Sequence, residues 1–201
     1  MWFLKKKSDQ RTDKDTKGIS AARQGILERD GIYLNGIDRQ VAYLTAAYGT
    51  ADPFELCRCM GIYVLDVELP DRLWGFYSNL MGSKIIYLNN AMEPHKRRQV
   101  CAHELGHAVL HADMNTMFLQ KRTRLVAGRY EREADCFAAC LLIPDELLAD
   151  QSGVLDTVEA LSACTGVSSE LVRLRLQVWN ETTRGEAGSP CLDAELGTKL
   201  D

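Results

Sequence analysis

The chain has 201 residues, 46% of them apolar and 26% charged, with a net charge of −4. That length suits one domain with a sizeable core plus tails. The charge balance excludes a general attraction to nucleic acid, and the lack of any apolar run of ~18 residues excludes a membrane-spanning helix.

Residues 1–35 read as a basic, mobile arm, in which Lys5, Lys6, Lys7, Arg11, Lys14 and Lys17 outnumber Asp9, Asp13 and Asp15. A short helix over Ser20–Glu28 is the one element it offers. The apolar patch Trp2-Phe3-Leu4 precedes the lysines, the reverse of a secretory signal, so a cytoplasmic location is expected. The seven cysteines, Cys57, Cys59, Cys101, Cys136, Cys140, Cys164 and Cys191, are odd in number and lack paired C-x-x-C spacing. They read as reduced thiols in or near a core, not as a zinc ribbon.

The domain proper is expected over 36–181. Ile37, Val41, Leu44 and Tyr48 fall on one side of a first helix over 36–48. Asp52-Pro53 supplies a cap and a first-turn proline for a short helix through Cys59, which Gly61 ends. Three short strands follow, Ile62–Val67, Trp74–Tyr77 and Ser83–Leu88, the last closed by Asn89-Asn90; a small antiparallel sheet is expected. A long helix then runs from Glu93-Pro94 to His111. Residues 112–127, holding Met114, Met117 and Phe118, show no periodicity and read as a loop that either borders a substrate site or is simply variable. A second strong helix spans Arg129–Leu142, Pro144 starts a short one to Ala149, and two amphipathic helices over 154–163 and 168–179 join at Gly166 with Ser168 as cap. Residues 182–201 read as a disordered acidic tail. The fold class is α+β, with about three strands packed on five to seven helices.

The long helix carries His103-Glu104-Leu105-Gly106-His107, an H-E-x-x-H run. Residues four apart sit nearly above one another on a helix, so the two imidazoles can aim at one Zn²⁺ ion. Glu104, about 100° round the helix from His103, can then reach a water at the metal as general base. The neighbours Val100, Ala102, Leu105, Ala108, Val109 and Leu110 are apolar on most sides of this helix, which argues that it is buried. Buried His and Glu side chains need partners, and a metal is the simplest common one.

Three residues are candidates for the third ligand of such a site: His111, Glu131 and Glu133. His111 lies about 12 Å along the helix from His103, too far to share an ion with both motif histidines, and reads as a supporting group. Glu131 and Glu133 lie about 200° apart on their helix, so only one can face the metal. Asp135 favours Glu131, because the two are i,i+4 and share a face. Glu131 can bind the ion while Asp135 accepts the outer N–H of a ligating histidine. Glu133 would point away, paired with Arg129 or Arg132.

The blocks His-Glu-Leu-Gly-His-Ala-Val-Leu-His and Glu-x-Glu-Ala-Asp-x-Phe-Ala-x-x-Leu-Leu-Ile-Pro resemble, in order and spacing, the ImmA/IrrE family of metallo-endopeptidases. The likeness extends more weakly over residues 38–180, including Gly-Ile-x-Val at 61–64 and the strand ending at Leu88-Asn89. It implies a zincin-like core and one bound Zn²⁺. By position it implies His103, His107 and Glu131 as ligands, Glu104 as base and Asp135 as the carboxylate behind a ligand histidine. Many relatives carry Asn in place of Asp135, and either residue can accept that N–H. It also implies a protein substrate, in several family members a helix-turn-helix transcriptional repressor, and a setting in a mobile element, prophage or stress response.

The expected reaction is peptide hydrolysis. Tyr77, Tyr87, Tyr130 and His111 are the candidates for an extra donor to the developing oxyanion, and a substrate strand can pair with the sheet edge. The alternative is a non-cleaving zinc-containing module that sequesters a regulator, although such a role does not require Glu104. A third reading takes residues 161–172 as a helix-turn-helix with Arg173 and Arg175 facing DNA. Glu170 and the negative net charge weigh against it, and packing on the metal helices is preferred; no direct nucleic-acid or membrane contact is expected.

Overall fold

The computed structural model describes residues 36–112, 124–149 and 157–187. The basic arm with its Ser20–Glu28 helix, the residues Met114, Met117 and Phe118, Cys191 and the tail beyond residue 187 lie outside them. Among the described residues there are seven helices and three strands. They are α1 (36–48), α2 (Pro53–Cys59), β1 (Tyr63–Val67), β2 (Gly75–Leu80), β3 (Ser83–Asn89), α3 (Pro94–Leu110), α4 (Arg124–Leu142), α5 (Asp145–Leu148), α6 (Val158–Thr165) and α7 (Ser169–Ala187). The class is α+β. No helix among the described residues is long and apolar enough to cross a membrane.

Local chemistry sets most of these boundaries. The Asp52 carboxylate accepts from the backbone N–H groups of Phe54 and Glu55, both at 3.0 Å, which satisfies donors left open at the start of α2. Ile37, Val41 and Leu44 are buried as their spacing requires, whereas Tyr48 is 42% exposed. It falls on the last turn of α1, where the chain leaves the core at Gly49. α4 begins at Arg124, so the end of the expected 112–127 loop is already helical. α7 runs to Ala187, past the boundary expected at residue 181. There Thr182 donates both to the Val178 carbonyl within α7 and to Asp38 of α1, so packing carries the helix onward.

The sheet departs from the antiparallel arrangement expected. Its order is β1-β3-β2, with β2 antiparallel to β3 but β1 parallel to it. The β2–β3 pair is a hairpin whose two turn residues, Met81 and Gly82, both have positive φ (52° and 85°), the conformation that suits the twist of a two-residue loop. β3 takes the centre because it carries Ile86, Leu88 and Asn89, all buried; β1 exposes Tyr63 and Leu65 and lies at an edge. The Asn89 amide donates to the carbonyls of Leu69 and Leu73 at 3.2 and 3.0 Å. This pins the connection from β1 across the end of β3, so that β1 and β2 flank it.

α3 is the central element. It is buried without interruption from Gln99 to Ala108, with β2 and β3 on one side and α4 on the other. The sheet grips the C-terminal end of α3 through side chains. Lys84 Nζ donates to the Ala108 carbonyl at 3.0 Å, and the Tyr77 hydroxyl and Asn79 amide both donate to the Ala112 carbonyl, at 3.2 and 3.0 Å. These bonds satisfy carbonyls that a helix end leaves open. The α6–α7 pair is also fastened to α3. Gln99 Oε1 accepts from the Ser168 backbone N–H at 3.0 Å, and the Ser162 hydroxyl closes the turn onto the Val167 carbonyl at 2.6 Å. Arg175, offered by the helix-turn-helix reading as a DNA contact, is buried; its Nε donates to the Ile143 carbonyl at 2.8 Å and it pairs with Asp145.

α3 and α4 approach each other closely at Gly106. A Cβ there would lie 3.1 Å from both the Ala134 Cα and the Phe137 Cβ. Backbone cannot swing aside as a flexible side chain can, so a Cβ here would press the helices apart by a few tenths of an ångström. Gly106→Val should therefore cost about 1–3 kcal/mol through overpacking, lowering Tm by roughly 2–4 °C per kcal/mol for a domain of this size. Thermal unfolding followed by circular dichroism measures it, and an unchanged Tm would refute the close-contact account.

Candidate metal centre

His103 and His107 project from successive turns of α3, and Glu131 projects from α4 across the Gly106 contact. All three are buried, and one donor atom from each lies within 4.8 Å of the other two. Glu131 spans the pair, with Oε2 3.4 Å from His103 Nε2 and Oε1 3.6 Å from His107 Nε2. Ligand atoms about 2.0–2.1 Å from a tetrahedral centre stand roughly 3.3–3.4 Å apart, so these separations fit a single ion. A second observation agrees. Glu131 Oε2 is buried without a well-directed hydrogen bond among the described residues, as is Glu104 Oε2. Unsatisfied buried carboxylate oxygens are costly, and a cation relieves them. The residues present therefore fit a divalent metal.

The electrostatics are those of charges pressed together in a water-poor interior. Burial opposes a charged His103, yet hydrogen bonds to Asp135 and Glu131 outweigh it and its pKa is pushed up to about 10. Burial likewise works against an ionised Glu131, but hydrogen bonds from His103 and His107 hold it well below the usual carboxylate range. Burial, helped by the neighbouring His103, pulls His107 down despite its bond to Glu131. A metal ion would take over the role that protons play among these groups.

The surroundings are equally specific. His103 Nδ1 bonds Asp135 Oδ1 at 2.8 Å, fixing the ring with Nε2 toward Glu131. Glu104 is 2% exposed and lies close enough to favour the charged forms of both motif histidines. His111 is not brought into the triad, as its distance along α3 required. Its Nδ1 lies 3.3 Å from His107 Nδ1, and its Nε2 lies 2.7 Å from Glu133 Oε2. Glu133 does pair with Arg129, whose Nε donates to Oε1 at 2.7 Å, but it also turns toward His111 and is not a free surface acid. Its pKa is lowered because bonds from His111 and Arg129 outweigh burial.

Of the four residues weighed as an oxyanion donor, three are otherwise placed. The Tyr77 hydroxyl is bonded to Ala112. Tyr87 stacks on Phe76, with ring centroids 4.6 Å apart, on the sheet face opposite Tyr77 and Ile86. Strand side chains alternate between faces, so Tyr87 points away from α3. His111 has both ring nitrogens engaged. Tyr130 packs edge-on against the His111 ring at 4.6 Å between centroids. Sequence reasoning missed the grip of Tyr77, Asn79 and Lys84 on the end of α3, because nothing local ties a strand side chain to a carbonyl some 24–35 residues away. Four of the six described cysteines, Cys57, Cys101, Cys136 and Cys140, are buried, and all six are free thiols.

Comparison with known proteins agrees with this geometry. The family model for the IrrE N-terminal-like domain, a peptidase family, matches residues 57–177. The uncharacterized immunity region protein 2 of Bacillus phage phi105 is 35% identical over 139 residues, covering 69% of this chain and 88% of the relative. Metallopeptidase ImmA of Bacillus subtilis is 27% identical over 138 residues, covering 68% and 75%. A solved structure described as a Mycobacterium tuberculosis transcriptional regulator shares the fold over 71% of this chain, with a TM-score of 0.54 at 21% identity; the chain spans 46% of that structure's length.

Chelator-treated protein should gain stability when a divalent metal is restored, by about 2.7 kcal/mol at a free-ion concentration one hundred times Kd. His103→Ala and Glu131→Ala should each erase that gain. Melting curves with and without Zn²⁺ test this, and an equal gain in either variant would mean that the ion binds elsewhere.

Proposed function

Since the chain belongs to the ImmA/IrrE family, the peptidases with an IrrE N-terminal-like domain, we propose that it is a zinc-dependent endopeptidase whose substrate is an intracellular regulatory protein, a helix-turn-helix repressor of a prophage or mobile element. The observation that carries the chemistry is the convergence of three buried donors beside a fourth buried side chain, Glu104, with an unsatisfied carboxylate oxygen. A site meant only to hold an ion has no need of that fourth group. The immunity-region name of the phage relative supports the regulatory setting, and the resemblance seen in the two sequence motifs supports the choice of target.

In this reading His103, His107 and Glu131 would hold the zinc ion. When bound, zinc supplies Lewis acidity, which lowers the pKa of water and polarises a carbonyl. The rest falls to side chains of this chain. Glu104 removes the proton from the attacking water and carries it to the leaving amine. Its buried Oε2, without a hydrogen-bond partner among the described residues, is an acceptor available for that purpose. Asp135 keeps the His103 proton on Nδ1, so that Nε2 presents a lone pair. Tyr130, with its ring against His111, is the remaining candidate donor to the oxyanion.

Glu104→Gln separates hydrolysis from sequestration. It should leave the Zn²⁺-dependent rise in Tm intact while slowing cleavage of a helix-turn-helix repressor substrate by about 10²–10⁴-fold. Fragments are counted by mass spectrometry after mixing enzyme, metal and repressor. Full cleavage by the variant would remove Glu104 from the mechanism. Binding without fragments from the wild type would favour a non-cleaving role.

A further inference from the structure

The two motif histidines are supported differently. Behind His103 stands a carboxylate, Asp135, in direct contact. Behind His107 stands another imidazole, and only then a carboxylate, with an arginine beyond it. The contacts run His107 Nδ1 to His111 Nδ1 at 3.3 Å, His111 Nε2 to Glu133 Oε2 at 2.7 Å, and Glu133 Oε1 to Arg129 Nε at 2.7 Å. His111 is buried, Glu133 half-buried, and the Arg129 side chain 51% exposed, so the series leads from the site to the surface.

With His107 ligating through Nε2, one arrangement of protons satisfies every contact. Two Nδ1 atoms at hydrogen-bond distance need one proton between them. A histidine that ligates through Nε2 is neutral and keeps its proton on Nδ1, so His107 is the donor and His111 Nδ1 the acceptor. The His111 proton must then sit on Nε2, where it meets Glu133 Oε2. An ionised carboxylate only accepts, and the other oxygen of Glu133 accepts from Arg129, which can only donate. The direction is set at the metal side and ends on a permanent cation. The reversed order would leave His107 Nδ1 unprotonated and its Nε2 blocked by a proton.

We infer that His111, Glu133 and Arg129 form a hydrogen-bonded brace that sets the tautomer and ring angle of His107, making His111 and Glu133 positioning residues for metal binding. The inference rests on the proposal that His107 is a metal ligand. The backbone is arranged for it. His111 is the C-cap of α3, with non-helical φ and ψ of −131° and 39°. The carbonyl of the next residue, Ala112, is held by Tyr77 and Asn79 of β2. The sheet therefore fixes the corner from which the His111 ring turns back onto His107, and Tyr130 covers its face. A brace through a neutral imidazole places less negative charge directly behind His107 than Asp135 places behind His103.

The test measures Zn²⁺ affinity of the full chain by competition with a chromophoric chelator at fixed pH, in the wild type and in His111→Phe, Glu133→Ala, Glu133→Gln and His103→Ala. His111→Phe and Glu133→Ala should bind about 10–100-fold more weakly. Glu133→Gln, which keeps an acceptor oxygen toward His111, should stay near the wild type. Equal affinity in all but His103→Ala would overturn the brace while leaving the metal site standing. No binding by the wild type would overturn the site and the brace together. Proton–nitrogen correlation spectra of the zinc-loaded wild type need no variant to fold. They should show His107 protonated at Nδ1 and His111 at Nε2 alone. A His111 protonated at Nδ1, or at both nitrogens, would sink the inference.

Discussion

Everything in this molecule depends on α3 and α4 meeting closely enough, at Gly106, for polar side chains from both to share one dry pocket. The helix–helix contact is short because glycine faces the Ala134 backbone. That closeness lets a side chain as short as glutamate reach two imidazoles on the opposite helix. It also removes water from them, and a buried imidazole or carboxylate is tolerable only when paired. The polar groups on this interface accordingly come in matched sets: His103 with Asp135 and Glu131, His107 with Glu131 and His111, and His111 with Glu133. Among the described residues, one oxygen each on Glu104 and Glu131 is left without a well-directed hydrogen bond. These are the two carboxylates that a metal-assisted hydrolysis would use, one for the ion and one for the proton.

The remaining elements serve to hold that interface still. The sheet grips the far end of α3 through Lys84, Tyr77 and Asn79. The α6–α7 turn holds the near end through Gln99 and Ser168. A helix offering two donors to a shared site must not slide, because a displacement of about 1 Å would pull them out of line with Glu131. The mixed sheet order follows from the same demand. β3 must sit centrally, with Ile86 and Leu88 against α3, and β1 is left at the edge with Tyr63 and Leu65 in solvent.

The sequence was most legible where function and local periodicity coincide. His103, Glu104 and His107 stand in a run whose spacing has few other uses, and the apolar neighbours announce a buried helix. The i,i+4 step from Glu131 to Asp135 selected between two glutamates, because helical geometry alone forbids both from facing one ion. Caps written in single residues, such as Asp52, lie where they were expected. The side on which Tyr87 lies was not legible, because aromatic character says nothing about which face of a strand a residue occupies until the pairing is known. The parallel β1–β3 pair was missed for a related reason: strand order is decided by which strand buries most side chains, and that emerges only once α3 is packed against them.

By itself, then, the linear order of residues determined the elements and the candidate donor set that two of them carry, since a helical repeat turns spacing into a shared face without help from the rest of the chain. What only the tertiary structure decided is how those faces are supported: the sheet order, the clamps on the end of α3, and the line from His107 through His111 and Glu133 to Arg129. The clamps on α3 and the His111–Glu133 contact join residues 22 to 35 positions apart through side chains with several rotatable bonds. Their partners are selected by burial and by the need to satisfy every polar atom, and those are properties of the folded interior that no local pattern encodes.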